Sequence, residues 1–254
     1  MLKLVKYELR KNRTALLVLL AIAAALEAYF LISIAREASE DVYTAIALLT
    51  LLFACVSFAV FILGVSSYSG ELKRRSRYLI FMTPNSALAV IISKLLFTLV
   101  LAVLFSALAL ALLAVDMPIF LDVYGEWEGY YVLFEQLLSQ QGVALGEIIS
   151  GFLLTVAQLF LQILSYVGVA YLSITLSATI LQSRKGRGLV SFLLFVGIVF
   201  VLSHISGLYV TETLEMSATG FYVQALAPTI LQSVLVLVAS TILSALMLKR
   251  HVSL

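Results

Sequence analysis

The chain has 254 residues, 63% of them hydrophobic and 12% charged, with a formal net charge of +2. Soluble globular domains carry about 25% charged residues, so the composition excludes an ordinary soluble domain and reads as an integral membrane protein. A single cysteine, Cys55, excludes an intrachain disulfide framework and a thiolate metal site, and the two histidines, His204 and His251, are too few and too far apart for a structural zinc or haem centre.

Residues 1–13 carry Lys3, Lys6, Arg10 and Arg13 at spacings of three and four, which places these cations on one side of a helix. Leu2, Val5 and Leu9 fall on a neighbouring arc, the pattern of an amphipathic helix lying in the membrane interface. A basic tail that only sets topology is the competing reading. The apolar run that follows is longer than a cleavable signal segment and is read as a retained anchor.

Six segments meet the requirement of about 20 mainly apolar residues for a spanning helix. They are residues 14–34, 42–64, 87–115, 148–181, 189–210 and 228–248. The third is most apolar from Leu95 to Val115 and extends back to Ala87, with Lys94 expected to snorkel its amine to the surface. Between the spans lie an outer connection at 116–147, a cytoplasmic loop at 182–188, an outer loop at 211–227 and a cytoplasmic tail at 249–254. The connection at 66–86 is the densest charge cluster, Glu71, Lys73, Arg74, Arg75 and Arg77, followed by Tyr78 and then Thr83, Pro84, Asn85 and Ser86.

Lys and Arg are retained on the cytoplasmic side. Counting Lys94 with the second connection, fifteen of the sixteen cations fall on the side of the two termini, and only Arg36 falls on the other, which holds eleven of the fourteen acids. Both termini are therefore expected in the cytoplasm of a multi-pass plasma-membrane protein. The outer connection, with Tyr124, Trp127, Tyr130, Tyr131 and Phe134 and no cation, reads as an interfacial aromatic belt or an acidic vestibule. His204 receives no role.

No Gly-rich phosphate loop is present, so the chain does not bind and hydrolyse ATP by that route. Asp41, Asp116 and Asp122 all fall in outer connections, which argues against an aspartyl dyad inside the bilayer. Glu27 is the one acid within a segment, roughly 20 Å in at 1.5 Å per residue. An acid at that depth faces protein or water; a substrate contact, a protonatable site and a hydrogen-bonded interhelical acid all remain open. In the fourth segment Thr155, Gln158, Gln162, Ser165, Tyr166, Ser173 and Ser177 share an arc of about 120°. Glutamines in lipid expose unpaired amides, so this stripe faces other helices or a polar pathway. Ser233, Ser240 and Ser244 form a narrower line on the sixth, read as helix packing.

The basic N-terminal helix with Lys6-Tyr7-Glu8-Leu9-Arg10-Lys11, six spans with both ends inside, and the run Glu71, Lys73 to Arg77, Thr83-Pro84, Ser86 and Lys94 resemble the membrane subunit of a type-2 ATP-binding-cassette (ABC) exporter. The resemblance covers the layout of nearly the whole chain, but its motif lies in about thirty residues. It implies an all-α integral membrane fold of six spans, a dimer of permease subunits, most simply a homodimer, and separate ABC ATPase subunits holding the ATP and Mg. It also implies that Glu71, Lys73, Arg74, Arg75, Arg77 and Tyr78 form a helix coupling the ATPase to transport, with no cofactor in this chain and no catalysis of its own. The compact size resembles bacterial exporters of antimicrobial or amphipathic peptides, drugs or lipids. Glu27, Thr155, Gln158, Gln162, Ser165 and Tyr166 are the candidate substrate pathway. Membrane lipid is the remaining expected partner, and nucleic acid is not one. The competing functions are a secondary transporter and a non-transport immunity or sensory membrane protein.

Overall fold

A computed structural model describes residues 2–73, 86–125, 132, 145–181, 186–208 and 226–252. Seven helices account for nearly all of these residues: α1 (Leu2–Lys11), α2 (Arg13–Ala35), α3 (Ser39–Lys73), α4 (Ala87–Tyr124), α5 (Leu145–Ile180), α6 (Arg187–Gly207) and α7 (Ala227–Val252). No strand occurs among the described residues. Helices α2 to α7 are each long and apolar enough to cross a membrane. Unbroken helix is what a bilayer demands of such sequences, because each backbone N–H and C=O must find a partner within the segment.

Local chemistry sets the helix ends. Asn12 separates α1 from α2, and its side-chain amide donates to the Glu8 carbonyl at 3.0 Å, alongside its backbone N–H at 3.1 Å. Helix α2 closes with the Glu37 N–H on the Ile34 carbonyl (2.9 Å) and the Ala38 N–H on the Ser33 carbonyl (3.3 Å). That pair of bonds is a Schellman motif, with Glu37 as its left-handed residue at φ 54°. Ser86 caps α4, its hydroxyl accepting the Ala89 N–H at 3.2 Å. Gly186, at φ 89°, precedes α6 in a conformation that glycine adopts without strain.

The helices sort into two packed units. One comprises Lys6–Leu63 and Val100–Gly142. Its core joins Phe30 and Ile34 of α2 to Val42, Ala45 and Leu49 of α3, with Ile119, Phe120 and Tyr124 of α4 packed against them. Tyr43 meets Phe120 edge-on at 6.4 Å, and Phe120 meets Tyr124 at 5.6 Å. These contacts explain why α4 runs past residue 115, through Asp116 and Pro118, to Tyr124: its last turns have aromatic partners to bury against.

The other unit comprises Met1–Val5, Gly64–Leu99 and Val143–Leu254. Here α5 packs on both α6 and α7. On α7, Ser233, Ser240 and Ser244 are all buried. A Cβ built on Gly168 would lie 2.5 Å from the Ser240 Oγ, so α5 and α7 approach closely at that point. The end of α3 joins the same unit through Tyr68, stacked on Tyr171 at a centroid distance of 4.4 Å. The Tyr171 hydroxyl donates to the Gly64 carbonyl (3.1 Å), and the Tyr68 and Thr175 hydroxyls share a bond of 2.7 Å.

No residue of α6 is buried within the chain, and Phe200 on it is 72% exposed. Large apolar residues are exposed on the other long helices too, including Leu17, Phe58, Leu110, Leu153 and Leu235. In water such a surface would drive aggregation; in a bilayer it is the surface that lipid or a second chain covers.

Candidate functional site

Among the described residues two polar constellations are candidates for a functional site, one in each unit. The first is an acid pair. Glu27 on α2 and Asp116 on α4 lie close enough for their carboxyls to interact. An ionised carboxylate only accepts, so a hydrogen bond between two carboxyls requires a proton on one of them. Glu27 Oε2 and Asp116 Oδ1 are buried and have no partner among the described residues. Asp116 also lines an apolar cavity of about 480 Å³ whose other walls include Phe30, Leu49, Phe53 and Leu113.

The second constellation is an uncharged slot of about 120 Å³ between α5, α6 and α7. Helix α5 contributes Gln158, Gln162, Ser165 and Tyr166, four of the residues that its polar stripe singled out. Ser203 and Ser206 come from the last turns of α6, and Thr229, Gln232 and Ser233 from the first turns of α7. The amides and hydroxyls largely satisfy one another. Gln232 donates to the Leu202 carbonyl at 3.1 Å and lies 2.9 Å from the Ser206 hydroxyl through its Oε1. Gln162 donates to the Tyr166 hydroxyl at 3.0 Å. The Ser233 hydroxyl spends its proton on the Thr229 carbonyl (2.8 Å) and so accepts from the Gln158 amide at 3.5 Å. That fixes the direction of the Gln158 amide and leaves its Oε1 buried without a partner among the described residues.

The other sequence-derived candidates are placed apart from these. Thr155 is exposed and gives its hydroxyl to the Gly151 carbonyl of its own helix at 2.8 Å. Glu27 is in the other packed unit from the glutamine slot. Glu71 and Lys73 end α3, but their side chains, like Arg74, Arg75, Arg77, Tyr78 and Pro84, lie outside the described residues. Lys94, expected at the surface, is instead 2% exposed. Its amine donates to the Ser67 Oγ at 3.1 Å and to the Ser67 carbonyl at 3.3 Å. The neighbouring helix supplies acceptors at the same depth, so the long stem need not reach for water.

Asp116, Ser203, Ser206 and Gln232 were not singled out from sequence. Gln232 with Thr229 and Ser233 keeps the spacing of a helical polar face, and that signal was available. Asp116 was not recoverable in the same way, because its role depends on α4 continuing past the first charge and a proline. Among the described residues no group of three or more His, Cys, Asp or Glu side chains is placed to hold a metal ion.

These features define a multi-pass helical membrane protein. No protein-family model, curated protein or solved structure matches the chain.

Proposed function

We propose that the chain is the permease subunit of an ATP-driven exporter of the type-2 ABC kind, moving an amphipathic substrate outward across the plasma membrane. The observation that carries the reading is the basic segment from Glu71 to Arg77, set between two apolar helices on the side where fifteen of sixteen cations gather. A membrane chain without a phosphate loop must receive its energy from elsewhere, and a cationic surface segment attracts an acidic groove on a partner as well as anionic lipid. In this reading two copies of the chain form the pathway. Separate ATPase subunits hold ATP and Mg, and Glu71, Lys73, Arg74, Arg75, Arg77 and Tyr78 transmit their closure. The slot at Gln158 and Gln162 belongs to the substrate route.

The test is co-purification from the native host, followed by reconstitution of the complex. Replacing Lys73, Arg74, Arg75 and Arg77 together by glutamine is expected to leave insertion intact and to abolish ATPase recruitment and substrate-stimulated hydrolysis. Normal recruitment and stimulation by that variant would remove the coupling role. A second reading, a proton-coupled secondary transporter, draws on the Glu27–Asp116 pair, since carboxyls inside a helical bundle serve as proton relays. Uptake or export collapsed by a protonophore but indifferent to ATP would favour it.

A further inference from the structure

The slot between α5, α6 and α7 has a buried acceptor without a partner among the described residues, the Oε1 of Gln158, a residue 6% exposed. A buried carbonyl oxygen of this kind without a partner carries an unrecovered desolvation cost, which a donor entering the slot would offset. About two turns further along the same helix, the Tyr166 hydroxyl accepts from Gln162 and still carries a proton to give. A head group in the slot must donate to the Gln158 Oε1, and it gains further by accepting where the slot's hydroxyls have a proton to give. Hydroxyls and amides do this; an ammonium only donates, and a carboxylate only accepts. Among the described residues no ionisable side chain other than the Tyr166 phenol lines the slot, so a charged group would find no counterion among them, at the heavy cost of charge in a low-dielectric interior.

Size and surroundings narrow the ligand further. About 120 Å³ is room for roughly four water molecules at about 30 Å³ each, or for one small polar group, and far below the 300 Å³ or more of a pocket that encloses a whole drug-sized molecule. Leu202 lines the slot and also an open apolar face of α6 that runs past Val201, Ile198, Gly197 and Leu194 to Val190. At 1.5 Å per residue this face is roughly 18 Å long, enough for an extended acyl-length chain.

We propose that this slot binds the uncharged hydroxyl or amide head of a single-chain amphiphile, with its apolar chain laid along α6. That the occupant is transported rests on the permease reading; the binding itself does not.

The test uses the purified full-length chain in phosphatidylcholine nanodiscs, without ATP or any ATPase. Four probes share an oleoyl-length chain: monoolein with a hydroxyl head, oleamide with an amide head, oleylamine and oleate. Competition against radiolabelled monoolein is expected to show the neutral heads binding at least tenfold more tightly than either charged head; whichever neutral head is tighter identifies the head as polyol-like or peptide-like. Gln158→Leu, which removes an unpaired polar atom and so leaves thermal stability unchanged or raised, is expected to erase the preference. Gln158→Glu, nearly the same shape, is expected to turn it toward oleylamine. Equal binding of all four probes, a preference that survives Gln158→Leu, or no saturable binding, as for a slot holding water alone, would each overturn the proposal. Absence of ATPase recruitment with head selectivity intact would instead count against the permease reading alone.

Discussion

The ammonium of Lys94 is held by Ser67, 3.1 Å from its Oγ and 3.3 Å from its carbonyl, with the lysine 2% exposed. A hydrogen bond to a charged group contributes about 1.5–3 kcal/mol. Ser67→Ala deprives a buried charge of one acceptor and is expected to destabilise the protein by about 1–2 kcal/mol. Lys94→Met keeps the stem and removes the charge, so it is expected to cost less, since an apolar side chain of similar volume often replaces a buried charge without loss. Thermal unfolding of both variants in detergent checks the order; a neutral Ser67→Ala beside a costly Lys94→Met would show that the bond is not what holds α4 to α3.

Glu37 occupies the left-handed position of the α2 terminus at φ 54°. A side chain there costs about 1–2 kcal/mol that glycine does not incur. Glu37→Gly should therefore stabilise the protein by about 1 kcal/mol, seen as a higher unfolding temperature, while Glu37→Val, β-branched, should lower it. A fall in the glycine variant would mean that the carboxylate has a role that the backbone does not reveal.

The architecture was legible because apolar length alone selects helices in lipid: α2 and α6 lie close to the segments read at 14–34 and 189–210. The longer helices were less so. Helix α3 reaches Lys73, and α4 reaches Tyr124, because hydropathy reports where lipid is entered and left, not where backbone bonding stops. The glutamine stripe was readable from its period, since Gln158, Gln162, Ser165 and Tyr166 do line one slot. Its other walls depend on which helices are neighbours, and a single sequence does not encode that in its periodicity.

The Glu27–Asp116 contact separates two roles for the acid on α2. Glu27→Gln supplies an amide donor to the Asp116 carboxylate, so the contact no longer needs a shared proton. This variant is expected to unfold within about 0.5 kcal/mol of the parent, the usual span for changes that break no specific interaction. Asp116→Leu leaves the partly buried Glu27 carboxyl without its partner and is expected to cost about 1–3 kcal/mol. Denaturation midpoints decide the structural part. If Glu27→Gln is as stable as expected yet loses all transport, the proton is functional and the secondary-transporter reading gains; if it transports normally, the pair is a packing contact.

Helix α6 offers a test of which surface a second copy covers. A Cβ on Gly168 would meet the Ser240 Oγ at 2.5 Å, whereas one on Gly197 meets no atom of the described residues within 4 Å. Gly168→Ala should force α5 and α7 apart and cost about 1–3 kcal/mol, with Ser240→Gly in the same chain restoring part of the loss. Gly197→Ala should be neutral or stabilising by up to about 1 kcal/mol, the difference in helix propensity, if lipid alone faces α6. If it instead lowers stability in a concentration-dependent way and shifts the particle from dimer to monomer, the unburied face of α6 is where two copies of the chain meet.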